Sequence, residues 1–319
     1  MYFRVFLLFA FYFFTFVSCQ REQTSESPEE TQQRDSLALH IAVMPVMDCL
    51  PIYYAERTGM FKAEKLDVRL EEYLSQMDCD TAIQNQRVEV AYTDILRVLQ
   101  MKENIGVVTI MSGKLSLLTA RTKRIRKLKN MNERMLALDR LSTSDYWSDK
   151  LMEEAGMEQT DIYRPQINDI RLRTSMLTEQ LVDAALLPEP YATEAEMRGE
   201  RRMKTQLEAD TLPYFNCLAI NRQSLSEPYR KKQIQQFIAI YDKAVKEMNG
   251  KDCQQDSIRR ILGRQYAIPT EVIDTLKIPK FAISQVPKEN DVQKATRWLQ
   301  SRERTLLKQR IDSLVCKLQ

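Results

Sequence analysis

The side chains able to do chemistry in this 319-residue chain sit in short polar clusters, each just past an apolar run. Asp48 follows "LALHIAVMPV", Ser75 and Asp78 follow "LDVRLEEY", and Thr93 and Asp94 follow "VEVAY". Ser112 closes "IGVVTIM", Ser142, Thr143 and Ser144 follow "MLALDRL", and Glu189 and Tyr191 end "DAALLPEPY". Runs this rich in Val, Ile and Leu read as buried strands. Polar residues at their carboxyl ends either cap the next helix or meet a ligand, because open α/β sheets bind ligands there. Asp48, Asp78, Asp94 and Glu189 are acceptor-only carboxylates, and no Lys or Arg stands at those positions. Such a set suits a ligand with N–H donors or positive charge, with Tyr53, Tyr54, Tyr92 and Tyr191 offering ring faces. The competing reading makes Asp48, Asp78 and Asp94 plain helix caps. Glu189, between two prolines on an apolar strand, is then left to set polarity alone.

Covalent catalysis is not expected. The single histidine, His40, lies on the first strand, so no Ser-His-Asp set can be assembled. After Cys19 the cysteines are Cys49, Cys79, Cys217, Cys253 and Cys316, an odd number without zinc-site spacing. No metal, cofactor or catalytic residue is therefore assigned. Cys49 and Cys79 each follow one of two neighbouring strands and are expected to lie close together; whether they bond stays open. Only 7 glycines argue against a Gly-rich nucleotide loop, and a net charge of +3 with both signs interspersed makes no case for nucleic acid. The basic stretch "RTKRIRKLKN" (121–130) reads as a solvated crossover.

These clusters need elements to hold them. Residues 1–18 form a secretory leader. Its apolar run, Val5 to Val17, is short of the ~20 residues that span a bilayer. Phe16-Val17-Ser18-Cys19 resembles a bacterial lipobox, which predicts acylation of Cys19. Residues 19–36 then form a flexible tether without an aliphatic or aromatic side chain after Cys19. From Leu37, strands at 37–46, 66–73, 88–92 and 105–113 alternate with helices near 48–58, 78–86 and 93–103. This pattern predicts a mostly parallel sheet. A second series runs from 135 to 191, with strands at 135–141, 161–164 and 183–191 and helices at 145–155 and 170–180. The strand at 212–222 returns to the first lobe. Helices at 227–249, 254–265, 269–275 and 289–312 follow. Expected boundaries are 37–117 for the first part of lobe one, 118–212 for lobe two, and 213–319 for the return and the helical tail.

"PIYYAERTGMFKAEKLDVRLEEY" followed by "AIQNQRVEVAYTD" resembles the bacterial substrate-binding proteins for nitrate, sulfonates, taurine and thiamine-pyrimidine precursors. Fungal thiamine-pyrimidine synthases share that family. Pro51, Tyr53, Ala55, Gly59, Phe61, Leu66, Asp67 and Val68 fall in register with its first motif, and Ala82, Val88, Val90 and Ala91 with its second. "ALLPEPYATEAEMRG" (185–199) resembles its second-lobe pocket strand. Two turn glycines of the family pattern are Lys65 and Arg87 here. The histidine and the cysteine-rich motif of the fungal enzymes have no counterpart. The resemblance implies an α/β two-lobed periplasmic-binding-protein fold of type II, with two hinge crossings and a helical C-terminal tail. It also implies a monomeric small-molecule binder that faces the periplasm and serves the permease and ATPase of an ABC importer by hinge closure. An extracytoplasmic enzyme and a ligand-sensing lipoprotein on the same fold are the alternatives, and a sulfonate or nitrate is the alternative ligand to an aminopyrimidine.

Overall fold

The computed structural model describes residues 36–205, 212–302, 314–316 and 318. The leader, Cys19 and the tether up to residue 35 lie outside the described residues, as does the 303–312 part of the last expected helix. From Ala38 onward the chain forms one compact unit containing two five-stranded sheets.

The first sheet comprises β1 (Leu39–Val43), β2 (Val68–Glu72), β3 (Val90–Asp94), β4 (Ile105–Ile110) and β10 (Asn216–Asn221), in the order β2-β1-β3-β10-β4. The second comprises β5 (Leu115–Thr119), β6 (Arg134–Ala137), β7 (Ile162–Tyr163), β8 (Ala184–Pro188) and β9 (Arg201–Arg202), in the order β7-β6-β8-β5-β9. Parallel pairs β1–β2, β1–β3, β6–β7 and β6–β8 are joined by helical crossovers, as the alternating pattern requires. The sheets are nevertheless mixed. β10 runs antiparallel to β3 and β4, and β5 runs antiparallel to β8 and β9. Each is the strand by which the chain arrives from the other lobe. It starts at the cleft, where the parallel strands end, and so must run against them. β5 belongs whole to the second sheet, so the first crossing falls between Ile110 and Leu115, ahead of the boundary at 117 read from the sequence. The second crossing passes through Pro213–Phe215 into β10.

The crossover helices are α1 (Leu50–Arg57), α2 (Met60–Ala63), α3 (Gln76–Gln84) and α4 (Ile95–Val98) in the first lobe, and α5 (Thr143–Ala155), α6 (Ile170–Thr178) and α7 (Tyr191–Met197) in the second. The helix expected over 93–103 is only the one turn of α4. α1 stops at "TGMF" because Gly59 takes the left-handed conformation, φ +76°. That reversal seats Phe61 against Phe237, ring centroids 6.0 Å apart. Lys65 (φ +57°) and Gln86 (φ +59°) hold left-handed positions without being glycine, at a cost of about 1 kcal/mol each. The first turn therefore keeps its shape at Lys65, and the second places the strained residue one position before Arg87.

The tail consists of α8 (Arg222–Ser226), α9 (Pro228–Asn249), α10 (Gln255–Arg264), α11 (Thr270–Thr275) and α12 (Glu289–Ser301). It packs on both lobes, beyond the first-lobe cover expected of it. α9 lies on α1 and buries Ile234, Phe237, Ile240 and Tyr241. Trp298 of α12 donates to Asp149 of α5 at 2.6 Å, and Arg302 reaches the same carboxylate. Past α10, the Gln265 carbonyl accepts from Arg171 of α6 at 3.3 Å.

Candidate functional site

The carboxyl ends of the parallel strands of both sheets meet at a cleft that encloses a cavity of about 40 Å³. That is space for a few water molecules rather than for a ring. The second lobe supplies Ser142, Thr143 and Ser144, presented by the N-terminus of α5. Ser142 is the N-cap and accepts from Ser144 N at 3.2 Å. Its hydroxyl donates to Asp139 O at 2.9 Å, and Ser144 Oγ accepts from Asp139 N at 3.0 Å. Asp139, just past β6, also lines the cavity. Its Oδ2 accepts from Arg173 at 2.6 Å, while its buried Oδ1 accepts no hydrogen bond among the described residues. Arg173 is 2% exposed and spends its other donors on Ile167 O and Leu186 O.

The first lobe answers with Gln76, Tyr92 and Asn216. Several bonds run directly between the lobes, among them one from Ile170 N to Leu74 O at 2.9 Å. Asp94 Oδ2 accepts from Thr143 N at 3.0 Å, Thr143 Oγ1 donates to Asn216 Oδ1 at 3.0 Å, and Met47 N donates to Glu189 O at 2.9 Å. Asp94 caps its own α4 through Arg97 N at 2.9 Å and accepts from Gln76 at 3.3 Å. Its carboxylate thus stands at the N-terminus of a 13-residue helix of the opposite lobe, where free N–H groups and the helix dipole favour negative charge. Burial nevertheless pushes the Asp94 carboxyl above its ordinary range, against the pull of Arg97. Arg97, itself buried, donates to Asp80 at 3.1 Å and stands 3.9 Å from Asp139.

Asp48 occupies a different place. It is fully buried beside the crossings and does not line the cavity. Oδ2 accepts from Tyr92 (2.9 Å), Tyr214 (2.5 Å) and Asn216 (3.1 Å). Oδ1 lies against Gly113, where an added Cβ would stand 2.1 Å from it. Gly113 is in the first crossing and Tyr214 in the second, so one carboxylate touches both. Burial raises its pKa, and the three donors oppose the rise only in part.

The remaining predicted positions have structural partners. Ser75 is the N-cap of α3, accepting from Asp78 N at 3.1 Å and donating to the Asp78 carboxylate at 2.7 Å. Thr93 donates to Asp80. Ser112 accepts from Ala282 N at 2.8 Å. Tyr53 packs edge-on against Tyr266 in the core, centroids 5.2 Å apart. The Glu189 carboxylate turns away from the cavity, accepting from Arg202 at 2.8 Å and from Thr193 N and Oγ1 at 3.0 and 2.7 Å. Tyr191 borders a separate hollow between α6 and α7. Cys49 and Cys79 are both buried and both free, near enough for the Cys79 thiol to sense charge on Cys49.

Sequence reading thus placed the Ser142–Thr143–Ser144 cluster, Tyr92 and Asp94 at the cleft, and missed Asp139, Arg173 and Asn216. The view that the pocket carries no cation is corrected by Arg173, and by Arg97 behind it. Arg173 had a signal. Ile170, Arg173, Thr174 and Leu177 share one face of α6, so an arginine stood on an otherwise buried stripe.

The sequence profile described as NMT1/THI5 like matches residues 47–251, most of the body that holds this cleft. The chain belongs to that family. Among solved structures, this NMT1/THI5-like protein is similar to the periplasmic aliphatic sulphonate binding protein SsuA of Escherichia coli. The two are 15% identical, with 88% of this chain and 92% of that one covered and a TM-score of 0.72. The ligand-binding component of an ABC-type import system from Staphylococcus aureus gives 15%, 88%, 96% and 0.73. The desulfurization enzyme DszB gives 12%, 83%, 92% and 0.61. These likenesses establish the two-lobed periplasmic-binding fold. Comparison with curated protein sequences gives no match.

Proposed function

We propose that this protein is the extracytoplasmic capture component of an ABC importer. In this reading it is held to a bacterial membrane by an acylated Cys19, and it closes its two lobes on a small molecule that it hands to a permease. The S. aureus import component and SsuA, both transport binding proteins, support the role. The described residues lining the cavity include neither histidine nor cysteine, so the cleft offers groups that hold rather than attack. The ligand reading rests on Asp139. Its Oδ1 is buried at the cavity, 3.9 Å from Arg97, and accepts no hydrogen bond among the described residues, which suits an N–H donor such as the amino group of a pyrimidine. A ring needs the cleft to open first, because about 40 Å³ holds none.

Calorimetric titration with hydroxymethylpyrimidine, its formylamino analogue, taurine and nitrate tests this. A pyrimidine is expected to bind, and Asp139→Asn to weaken it by about 1.5–3 kcal/mol, the worth of a charge-assisted hydrogen bond. Tight taurine or nitrate binding with silent pyrimidines refutes the assignment. One observation favours that second outcome: the Asp94 carboxylate already sits at the N-terminus of α5 as an oxyanion would. Under that reading the ligand displaces Asp94, and Asp94→Asn strengthens anion binding by removing the internal competitor. Mass spectrometry of the mature N-terminus tests the anchor; retention of Met1 or an unmodified Cys19 refutes it.

A further inference from the structure

We infer that the protein carries a second ligand site, for a small organic oxyanion, in the hollow between α6 and α7. This hollow measures about 180 Å³, several times the central cavity. Its walls come from two helical faces. Arg171, Thr174, Ser175 and Thr178 recur at the three- and four-residue spacing of one side of α6, and Tyr191, Glu194 and Arg198 stand along α7 into its cap. Tyr266 and Ala267 of the tail close it from above, with Ala267 held in the left-handed conformation, φ +53°.

The charges of the lining do not cancel. Glu194 is taken up by Arg198 at 2.7 Å. Arg171 spends one donor on the Gln265 carbonyl at 3.3 Å, and its Nε, buried, has no acceptor among the described residues. Tyr191 is 2% exposed, and its hydroxyl makes no hydrogen bond of ordinary geometry while lying close enough to feel the Arg171 guanidinium. Two further acids, Glu72 acting on Arg171 and Asp169 acting on Tyr191, do not line the hollow. A buried guanidinium N–H with nothing to bind and a buried phenol beside it are costly unless an acceptor arrives. An oxygen of a carboxylate, sulfonate or phosphate group satisfies both, and the exposed Ser175 stands on the same face. The volume leaves room for carbon beyond the charged group. The site is independent of the central cavity, since no residue lines both.

The test uses the mature full-length protein and three probes, namely inorganic phosphate, methanesulfonate and glutarate, titrated by calorimetry at constant ionic strength against chloride. At least one probe is expected to bind with one-site stoichiometry. Arg171→Gln is expected to weaken it roughly tenfold or more, and Tyr191→Phe by a smaller factor, as loss of a charged and a neutral hydrogen bond require. Asp139→Asn, in the central cavity, is expected to leave the same titration unchanged. The probe set also ranks the three oxyanion classes. Binding of no probe overturns the proposal, as does equal binding by a folded Arg171→Gln protein. A changed affinity in Asp139→Asn with unchanged binding in Arg171→Gln assigns the anion to the central cleft and overturns it equally. Circular dichroism of each variant confirms folding, and Arg171→Lys, which keeps the charge but loses the fork, is expected to bind with intermediate affinity.

Discussion

Asp48 and Asp139 are matched residues in unmatched surroundings. Each follows the first parallel strand of its lobe, β1 or β6, and each is a buried acid at the cleft end of its sheet. Asp48 is closed in by three donors and by Gly113, and it joins two stretches of chain that cross between the lobes. Asp139 has the Arg173 guanidinium on one oxygen, while before the other lie the cavity and, 3.9 Å off, the Arg97 guanidinium. What packs opposite decides the role. The first-lobe position faces Tyr214 of the second crossing and Asn216 at the start of β10, and the second-lobe position faces the gap between sheets. A strand-end carboxylate is therefore a candidate ligand group only once the chain opposite it is known.

The largest effect should come from removing the enclosed acid. Asp48→Ala strands the Tyr92, Tyr214 and Asn216 donors in a buried site and is expected to cost about 3–4 kcal/mol in urea unfolding. A loss below 1 kcal/mol would mean that the crossings do not depend on this carboxylate. Next comes Gly113→Ala, whose Cβ must push Asp48 aside, with an expected loss of about 2–3 kcal/mol. If the chain tolerates it fully, the contact between Asp48 and the first crossing is not tight.

Asp80 sharpens the contrast, being enclosed like Asp48 yet beside a guanidinium like Asp139. Burial lifts its pKa from 3.8 to about 7, with Arg97 only partly compensating. Because the folded value exceeds the unfolded one, the proton is held more tightly in the folded state. The associated stability is present in full below about pH 4 and is lost as pH rises through about 7. Urea midpoints between pH 5 and 8 should therefore fall with rising pH, and Asp80→Asn should flatten that slope. A slope unchanged in the variant assigns the titration to another group. The smallest effect belongs to Glu189, whose ion pair with Arg202 is about one-fifth exposed on each side. Glu189→Gln should cost about 0.5–1 kcal/mol in stability and leave affinity for a central-cleft ligand unchanged. A marked fall in that affinity would return Glu189 to the site.

Much of the fold was legible because it rests on local signals. Alternating apolar runs and amphipathic stretches gave eight of the ten described strands, all but β5 and the two-residue β9, and Gly59 gave the turn after α1. β5 was passed over because "LSLLT" is short and adjoins the basic run that drew attention as a crossover. The antiparallel direction of β5 and β10 follows from the crossings, which no local pattern encodes. The site was harder. Ser142, Thr143 and Ser144 were found because a helix N-terminus at a strand end is a local feature. Asn216 was missed because it opens a strand that joins the sheet only after a long excursion, and Asp139 because it lies inside the run "MLALDRL" rather than beyond it. Asp94 was placed correctly at a strand end, but its partner across the cleft, Thr143 N, is 49 residues away.

The tail that joins both lobes changes how this molecule must breathe. Two crossings alone would let the second lobe swing as a free door. Here Asp149 is tied to Trp298 and Arg302, and Arg171 to Gln265, so any swing must either drag α12 and the end of α10 along or tear them loose. Opening then becomes a concerted event with a barrier of its own. Under the capture role proposed above, that event rather than diffusion would set the rate at which a solute is admitted once solute is plentiful. Backbone amides in α12 should exchange with solvent at the frequency of opening, which makes the C-terminus, far along the chain from either crossing, the clock of the cleft.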